Sequence, residues 1–447
     1  MDRRDVLTTM GALAVSGLAT DGLAADTTAK QSSAKKLAGS VTMAAASPVL
    51  SKAWDGYYAA LGEMRTAIEA TPIFQQYPRD RAKAYHTLME MQAMAYNFII
   101  APRMTHPRIF FNCGWQTDQF TLGQNGPDFR YGVLFVDGRQ SYRLSGRMGD
   151  ISLFLLQTLN GVLGEKGVKT TGNYDWNDFN VAADGRFEVI LSAEKHPGNW
   201  IPIDPDSGYQ FMFMRRALPN WHGDPGELRI DPINEIAETH YDADEFDEAA
   251  MAARIHRAES FVRYLMKDFT IGLYELYFSK AGRQKNVLAL IPGTNAGQLG
   301  SPSSNYALGV FELNDDEALV IEMDKAPDGV YWSFQLGDVW SRALPFATRH
   351  SSINNLQSVA EAGGGLRAVI SHRDPGITNW LDTCGHNAGT IVFRNYRAKT
   401  APVPKVSRVK FVELDGLLPK DVARVTLQQR KEIVEDRRLA QLKWYGE

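Results

Sequence analysis

Cysteine is almost absent from this chain: Cys113 and Cys384 are the two among 447 residues. A cysteine-based zinc site needs closely spaced thiols with histidines nearby, so the count excludes one. A disulfide between two thiols so far apart is permitted in an oxidising compartment, but two small buried hydrophobes explain them as well. Positive charge is also short. Lys and Arg number 48 against 52 Asp and Glu, for a net charge of -4, which leaves no basic reservoir for a nucleic acid. No segment holds the roughly 18 uninterrupted apolar residues of a membrane-spanning helix. The familiar catalytic signatures are missing too: G-x-S-x-G, H-E-x-x-H, a Walker A loop, and G-x-G-x-x-G after a strand. The glycine-rich "GTNAGQLG" lacks the Lys-Ser/Thr of a phosphate loop and reads as a flexible connection. Nothing here calls for an organic cofactor, and no residue set is assigned to a metal.

What is present is ordinary globular material. Hydrophobic residues at 44% and charged residues at 22% sit near soluble averages, and the length implies two or more domains. Aromatic content of 11%, with nine Trp, is a mild excess; Trp beside Asp and Arg suits stacking on sugars or other flat polar ligands. The opening "MDRRDVLTTMGALAVSGLATDGLAADTTA" has paired arginines, Arg3 and Arg4, ahead of a weakly apolar run. That pattern predicts a twin-arginine-like export signal over 1–25, cleaved between Ala19 and Ala25, and a periplasmic or secreted product.

Texture changes along the chain. A polar stretch and a helical pair are expected over 26–105, from the helical spacing of apolar residues in "LSKAWDGYYAALGEMRTAIEA" and "RDRAKAYHTLMEMQAMAYNFI". Short apolar runs broken by Gly, Asn, Asp and Pro predict a first β module over 106–240, in which "YGVLFVDGRQSYRL" reads as a hairpin turned at Asp137-Gly138. A helical segment and Gly/Ser/Asn linker follow over 241–305, and a second β module over 306–400. A C-terminal segment with a helix in "PKDVARVTLQQRKEIVEDRRLAQLKW" occupies 401–447. "DADEFDE", from Asp242, could seat a calcium ion, but acidic residues opening a helix are the commoner arrangement.

The two β stretches repeat one another. "GRFEVILSAEKHPGNWIPIDPDSGYQFMFMRR" from Gly185 lies on "GLRAVISHRDPGITNWLDTCGHNAGTIVFRNYR" from Gly365, sharing a Val-Ile strand centre, a Pro-Gly turn, an Asn-Trp pair and a strand ending in arginines. Upstream, the stretch from Tyr131 is similar to that from Tyr306. What the copies share should be scaffold, and what differs should be specialised. His372, Asp382, Cys384 and His386 occur in the second copy alone.

From about Pro107 to Arg397 the chain resembles the bacterial families of domains of unknown function 1214 and 1254, through "PDGVYWSFQLGD", "SSINNLQSV" and "HRDPGITNWLDTCGHNAGTIVFR". The resemblance implies a mainly β, α+β architecture: two related jelly-roll-like sandwiches with helical additions at the N-terminus, between the modules and at the C-terminus. It implies no agreed reaction.

Chemistry is therefore sought in 371–397. His386 and His372, with Asp382 and Asp374, offer a general acid and base, because imidazole titrates near neutrality and a carboxylate can orient it. Asp382 is the expected partner of His386. Arg373 and Arg394 could hold a carboxylate or developing oxyanion, Trp332 and Trp380 could form an aromatic wall, and Asn379 could add a polar contact. Against this, Asp and Asn often only cap turns, and an Arg-Asp pair often only fixes a loop. Taken together the cluster predicts a ligand site. The reading is an exported hydrolase or lyase acting by His/Asp acid–base chemistry on a small polar or carbohydrate-like molecule; a non-catalytic ligand-binding or envelope-structural protein is the alternative. An oligomer is compatible with either.

Overall fold

Strand alternation explains the layering. The structure is a computed structural model describing residues 47–104, 107–111, 119–233, 247–281, 284–293 and 300–445. Outside those residues lie the expected export signal, Cys113, most of the acidic stretch from Asp242, and most of "GTNAGQLG". The first module stacks two four-stranded sheets, ordered β1-β7-β3-β4 and β6-β5-β2-β8. Their strands are β1 (Phe129–Val136), β2 (Tyr142–Arg147), β3 (Leu153–Leu159), β4 (Thr170–Asp175), β5 (Arg186–Ser192), β6 (Trp200–Pro202), β7 (Gln210–Ala217) and β8 (Glu227–Pro232). Along β1, Leu134 and Val136 enter the sandwich core with Leu144, Val189 and Met212. Val133 and Phe135 point the other way, as the period of two requires, and pack with Phe98 and Phe261 of a helical layer. That second buried face is why β7 is apolar on both sides.

The second module repeats the plan. Its strands are β9 (Leu288–Pro292), β10 (Ser304–Glu312), β11 (Glu317–Met323), β12 (Tyr331–Gly337), β13 (Ser352–Asn354), β14 (Leu366–Ser371), β15 (Trp380–Asp382), β16 (Ala388–Tyr396) and β17 (Lys405–Lys410). They form sheets ordered β13-β12-β16-β10-β9 and β15-β14-β11-β17. β10, β16 and β12 stand where β1, β7 and β3 stand in the first module, and β15-β14-β11-β17 repeats β6-β5-β2-β8. The duplication therefore holds at the level of topology.

The Asn-Trp pairs show its detail. Asn199 donates to the Glu188 and Asn180 carbonyls at 2.9 and 2.8 Å; Asn379 donates to Arg367 and Val359 in the same way, at 2.9 and 2.7 Å. Trp200 Nε1 reaches Ser192 Oγ and Trp380 Nε1 reaches Ser371 Oγ, each at 3.0 Å. These bonds pair Ser192 with Ser371, so the β5 and β14 strands align one residue away from the Val-Ile match seen in sequence, and Gly364 (φ 80°), not Gly365, answers Gly185 (φ 82°).

"YGVLFVDGRQSYRL" is not a hairpin. The turn forms, with Gln140 N donating to Asp137 O at 3.0 Å, but β1 pairs with β7 while β2 pairs with β5 and β8. The chain turns a corner from one sheet of the sandwich to the other, which buries both apolar runs.

Helices cover the outer faces of the β1-β7-β3-β4 and β13-β12-β16-β10-β9 sheets. α1 (Pro48–Glu69) and α2 (Arg81–Ala95) are separated by a short turn of helix, Pro72–Gln76, and by the 3₁₀ turn Pro78–Asp80. α3 (Glu248–Tyr264) is capped by Asp247, whose carboxylate accepts from Ala250 N at 2.7 Å. The C-terminal helix α4 (Leu427–Tyr445) starts later than its charged sequence suggests, at the Thr426/Gln429 capping box. One apolar cluster joins α1, α2 and α3 to both modules: it contains Met64, Met91 and Phe261 with Phe213 of β7 and Val392 of β16. Pro48–Glu447 forms a single unit. Among the described residues no helix is long and apolar enough to cross a membrane.

Candidate functional site

Two of the concave sites hold candidate side chains, His386 in one and Arg394 in the other. The larger is a cleft of ≈ 890 Å³ between the α1–α2 connection, the β10–β11 turn and the loop before β16. His386 is on its wall, but its partners come from the far end of the chain. Lys83 Nζ lies 2.7 Å from His386 Nε2, and Asp80 Oδ1 lies 3.1 Å from Lys83 Nζ and 3.7 Å from His386 Nδ1. Asp338 Oδ2 stands 3.9 Å from the same ammonium. Burial, then the Lys83 charge, holds the His386 imidazole below its usual value. It is thus neutral at neutral pH, with Nε2 placed to accept from the ammonium. Glu312, Asp315, Glu317 and Asn387 add hydrogen-bonding groups to the cleft.

Asp382 does not face His386. Its Oδ2 takes Arg349 Nε and Nη2 at 2.7 and 2.6 Å, and its Oδ1 accepts from Cys384 N at 2.7 Å, closing an Asx turn around Cys384 at φ 54°. The residue fixes the loop, as Asp commonly does. His372 Nδ1 pairs with Thr383 Oγ1 at 2.8 Å, while its Nε2 is buried without a partner. Asp374 accepts from Gly376 N at 2.8 Å and from Arg430 Nε of α4 at 2.9 Å, which clamps the C-terminal helix onto the loop.

The remaining candidates disperse. Asn379 spends its amide on strand carbonyls, as described. Trp380 is buried with its ring parallel to His350 and under the Arg430 guanidinium; Trp332 is buried beside Phe334 in the second module's core. Neither ring lines the His386 cleft. The Arg373 guanidinium lies 4.2 Å from the Phe411 ring centre. Arg394 lines a different, smaller cavity between the modules, with Tyr131, Arg215, Tyr306 and Tyr277. Lys83 and Asp80 were not legible in sequence, being some 300 residues from the loop they complete. The one signal was that the stretch before Pro107 supplies titratable groups at a helix start, "PRDRAK".

The fold is a duplicated β-sandwich with a Lys83–His386–Asp80 cluster at one module's loop. The chain matches the family described as protein of unknown function (DUF1214) over residues 136–219 and 311–400, one matched stretch in each β module. This finding bears on the 1214 type; the 1254 resemblance stays an expectation. The chain is similar to a solved structure of an uncharacterized protein from Burkholderia cenocepacia, with 27% identity over 81% of this chain and 98% of that one and a TM-score of 0.71. A looser likeness is to the VPA0106 protein from Vibrio parahaemolyticus, at 14% identity over 72% and 97% of the two chains with a TM-score of 0.42. No curated protein matches.

Proposed function

We propose that the chain is an acid–base catalyst of the hydrolase or lyase type, acting on a small polar or carbohydrate-like molecule in the His386 cleft. The observation that carries the reading is the Lys83–His386 contact of 2.7 Å on the wall of an open ≈ 890 Å³ cleft. Substrate in the cleft draws the Lys83 ammonium onto its developing negative charge, which frees the Nε2 lone pair of the half-buried, neutral imidazole to accept a proton. Carboxylate and amide acceptors in the lining suit hydroxyl groups on the substrate. The Arg3-Arg4 start supports placing this chemistry in the periplasm or outside the cell, and mass spectrometry of the native envelope fraction should then show a chain lacking its first 19 to 25 residues.

The test is a turnover screen of glycosides, sugar esters and polyhydroxy acids. His386→Gln and Lys83→Met should each lower the rate on any substrate found by a factor of about 10² to 10⁴ while keeping the parent's urea midpoint. Full turnover by both variants would remove the reading. Binding without turnover is the second reading, favoured by Asp382 being held away from the imidazole. In that case a ligand raises the melting temperature by mass action and no product accumulates.

A further inference from the structure

The smaller cavity owes its polar groups to the duplication. β1 pairs with β7 so that Tyr131 stands opposite Arg215, and β10 pairs with β16 so that Tyr306 stands opposite Arg394. These cross-strand pairs occupy equivalent places in the two modules. All four side chains line one cavity of ≈ 100 Å³, so two copies of a Tyr–Arg pair meet at the module boundary.

The Arg394 charge in this cavity meets neutral acceptors. Arg394 is 7% exposed; its Nη1 donates to Gln335 Oε1 at 2.7 Å and its Nη2 to the Gln124 carbonyl. Both acceptors are neutral, and among the described residues Arg394 makes no ion pair; the ionisable groups around it are tyrosines. Burial raises the hydroxyl titration of Tyr131 and Tyr277, so both keep their protons. Tyr277 donates to Gln124 Oε1 at 2.6 Å, and Tyr306 and Tyr396 share a hydrogen bond of 3.2 Å. A guanidinium buried without an opposite charge is costly, and a bound anion would offset that cost.

The rest of the lining is apolar. Phe269, Leu273 and Leu308 are among it. Phe269 lies in Leu265–Ile271, a π-helical stretch of a kind frequent at functional sites. A small carboxylate presents a planar pair of oxygens to a guanidinium fork and an apolar tail behind them. Sulfate or phosphate would need donors on every face, and these three side chains supply none.

We propose that this cavity binds a small carboxylate with a short apolar tail, its charged end toward Arg394 and its tail against Phe269, Leu273 and Leu308. The site shares no lining residue with the His386 cleft and does not rest on the catalytic reading. Isothermal titration of the full chain with sodium butyrate and sodium benzoate tests it, with butyramide as the neutral counterpart and sodium sulfate as the anion without a tail. Saturable binding is expected for the carboxylates and none for butyramide, with sulfate weaker by about tenfold or more. Arg394→Gln should weaken butyrate by about tenfold or more. Since that buried substitution could unfold the chain, half-buried Leu273→Trp serves as the second variant: it fills the apolar side and should abolish butyrate binding with the circular dichroism of the parent. His386→Gln should bind butyrate as the parent does. The proposal is overturned if no carboxylate binds at about 10 mM, if sulfate or butyramide binds equally well, if folded Leu273→Trp binds like the parent, or if His386→Gln loses binding.

Discussion

Replacing Asp382 should damage the loop and leave His386 unchanged. The carboxylate makes three contacts: two with Arg349 and one with the Cys384 N–H. The Arg349 side chain is 49% exposed, so on Asp382→Ala its guanidinium turns to water and the ion pair contributes only about 0.2–1 kcal/mol. The Cys384 N–H matters more. Cys384 holds a left-handed backbone at φ 54° that a non-glycine residue adopts at a cost, and its amide loses the acceptor that stabilises the turn, worth about 1–3 kcal/mol. The sum is about 1–4 kcal/mol for Asp382→Ala. Asp382→Asn keeps one oxygen for Cys384 and gives up the charged fork, so about 0.5–1 kcal/mol is expected. Urea unfolding reads the stability, and NMR titration of the His386 ring reads its environment, which should shift little in either variant because Lys83 and Asp80 surround it. The reasoning fails if Asp382→Ala matches the parent's urea midpoint, or if Asp382→Asn moves the His386 titration by a full pH unit.

Two further outcomes are expected. Asp128 is buried and accepts from Trp221 Nε1, Tyr331 and Asn354 at 2.6, 2.6 and 2.5 Å, so Asp128→Ala should cost about 3–5 kcal/mol in urea; Asp128→Asn should cost less, since Tyr331 can turn its hydroxyl proton toward Ser333 Oγ at 2.8 Å. Burial, then the Arg437 and Arg430 charges, holds His350 well below the usual imidazole value near 6.5, while the unfolded chain titrates at about that value. The folded state therefore binds fewer protons below pH 6.5, and this contribution, fully present above it, is lost by up to about 1.4 kcal/mol per pH unit as pH falls further; in His350→Asn, whose amide can still donate to the Trp380 carbonyl, urea midpoints between pH 7 and 5 should fall less steeply than in the parent.

Much of the fold could be read locally. The alternation in β1 and β10, the Pro-Gly turns and the Asn-Trp pairs each depend on neighbours within 20 residues, and such patterns survive in sequence because backbone hydrogen bonding and the period of two act locally. The Asp137-Gly138 turn shows the limit. Its residues announce a turn, but whether the two strands then pair or part into opposite sheets depends on which faces the rest of the module buries. Of the candidate site, His386 was legible as a titratable group peculiar to the second copy. Asp382, Asp374 and Asn379 carried the same polar signature yet hold turns and strands, because a side-chain oxygen next to a free backbone N–H satisfies it before any ligand does.

The sequence by itself determined the two β modules, the helical segments around them and the duplication that relates them, all of which follow from short-range periodicity and turn chemistry. Only the tertiary structure decided which groups meet. Lys83 and Asp80 reach His386 because α2 packs across the outer face of the second module's larger sheet, and Tyr131, Arg215, Tyr306 and Arg394 share a cavity because the two modules present equivalent strands to one another. Both convergences come from burying the apolar outer faces of those sheets, a requirement set by the whole assembly of helices and strands and by no single stretch of chain.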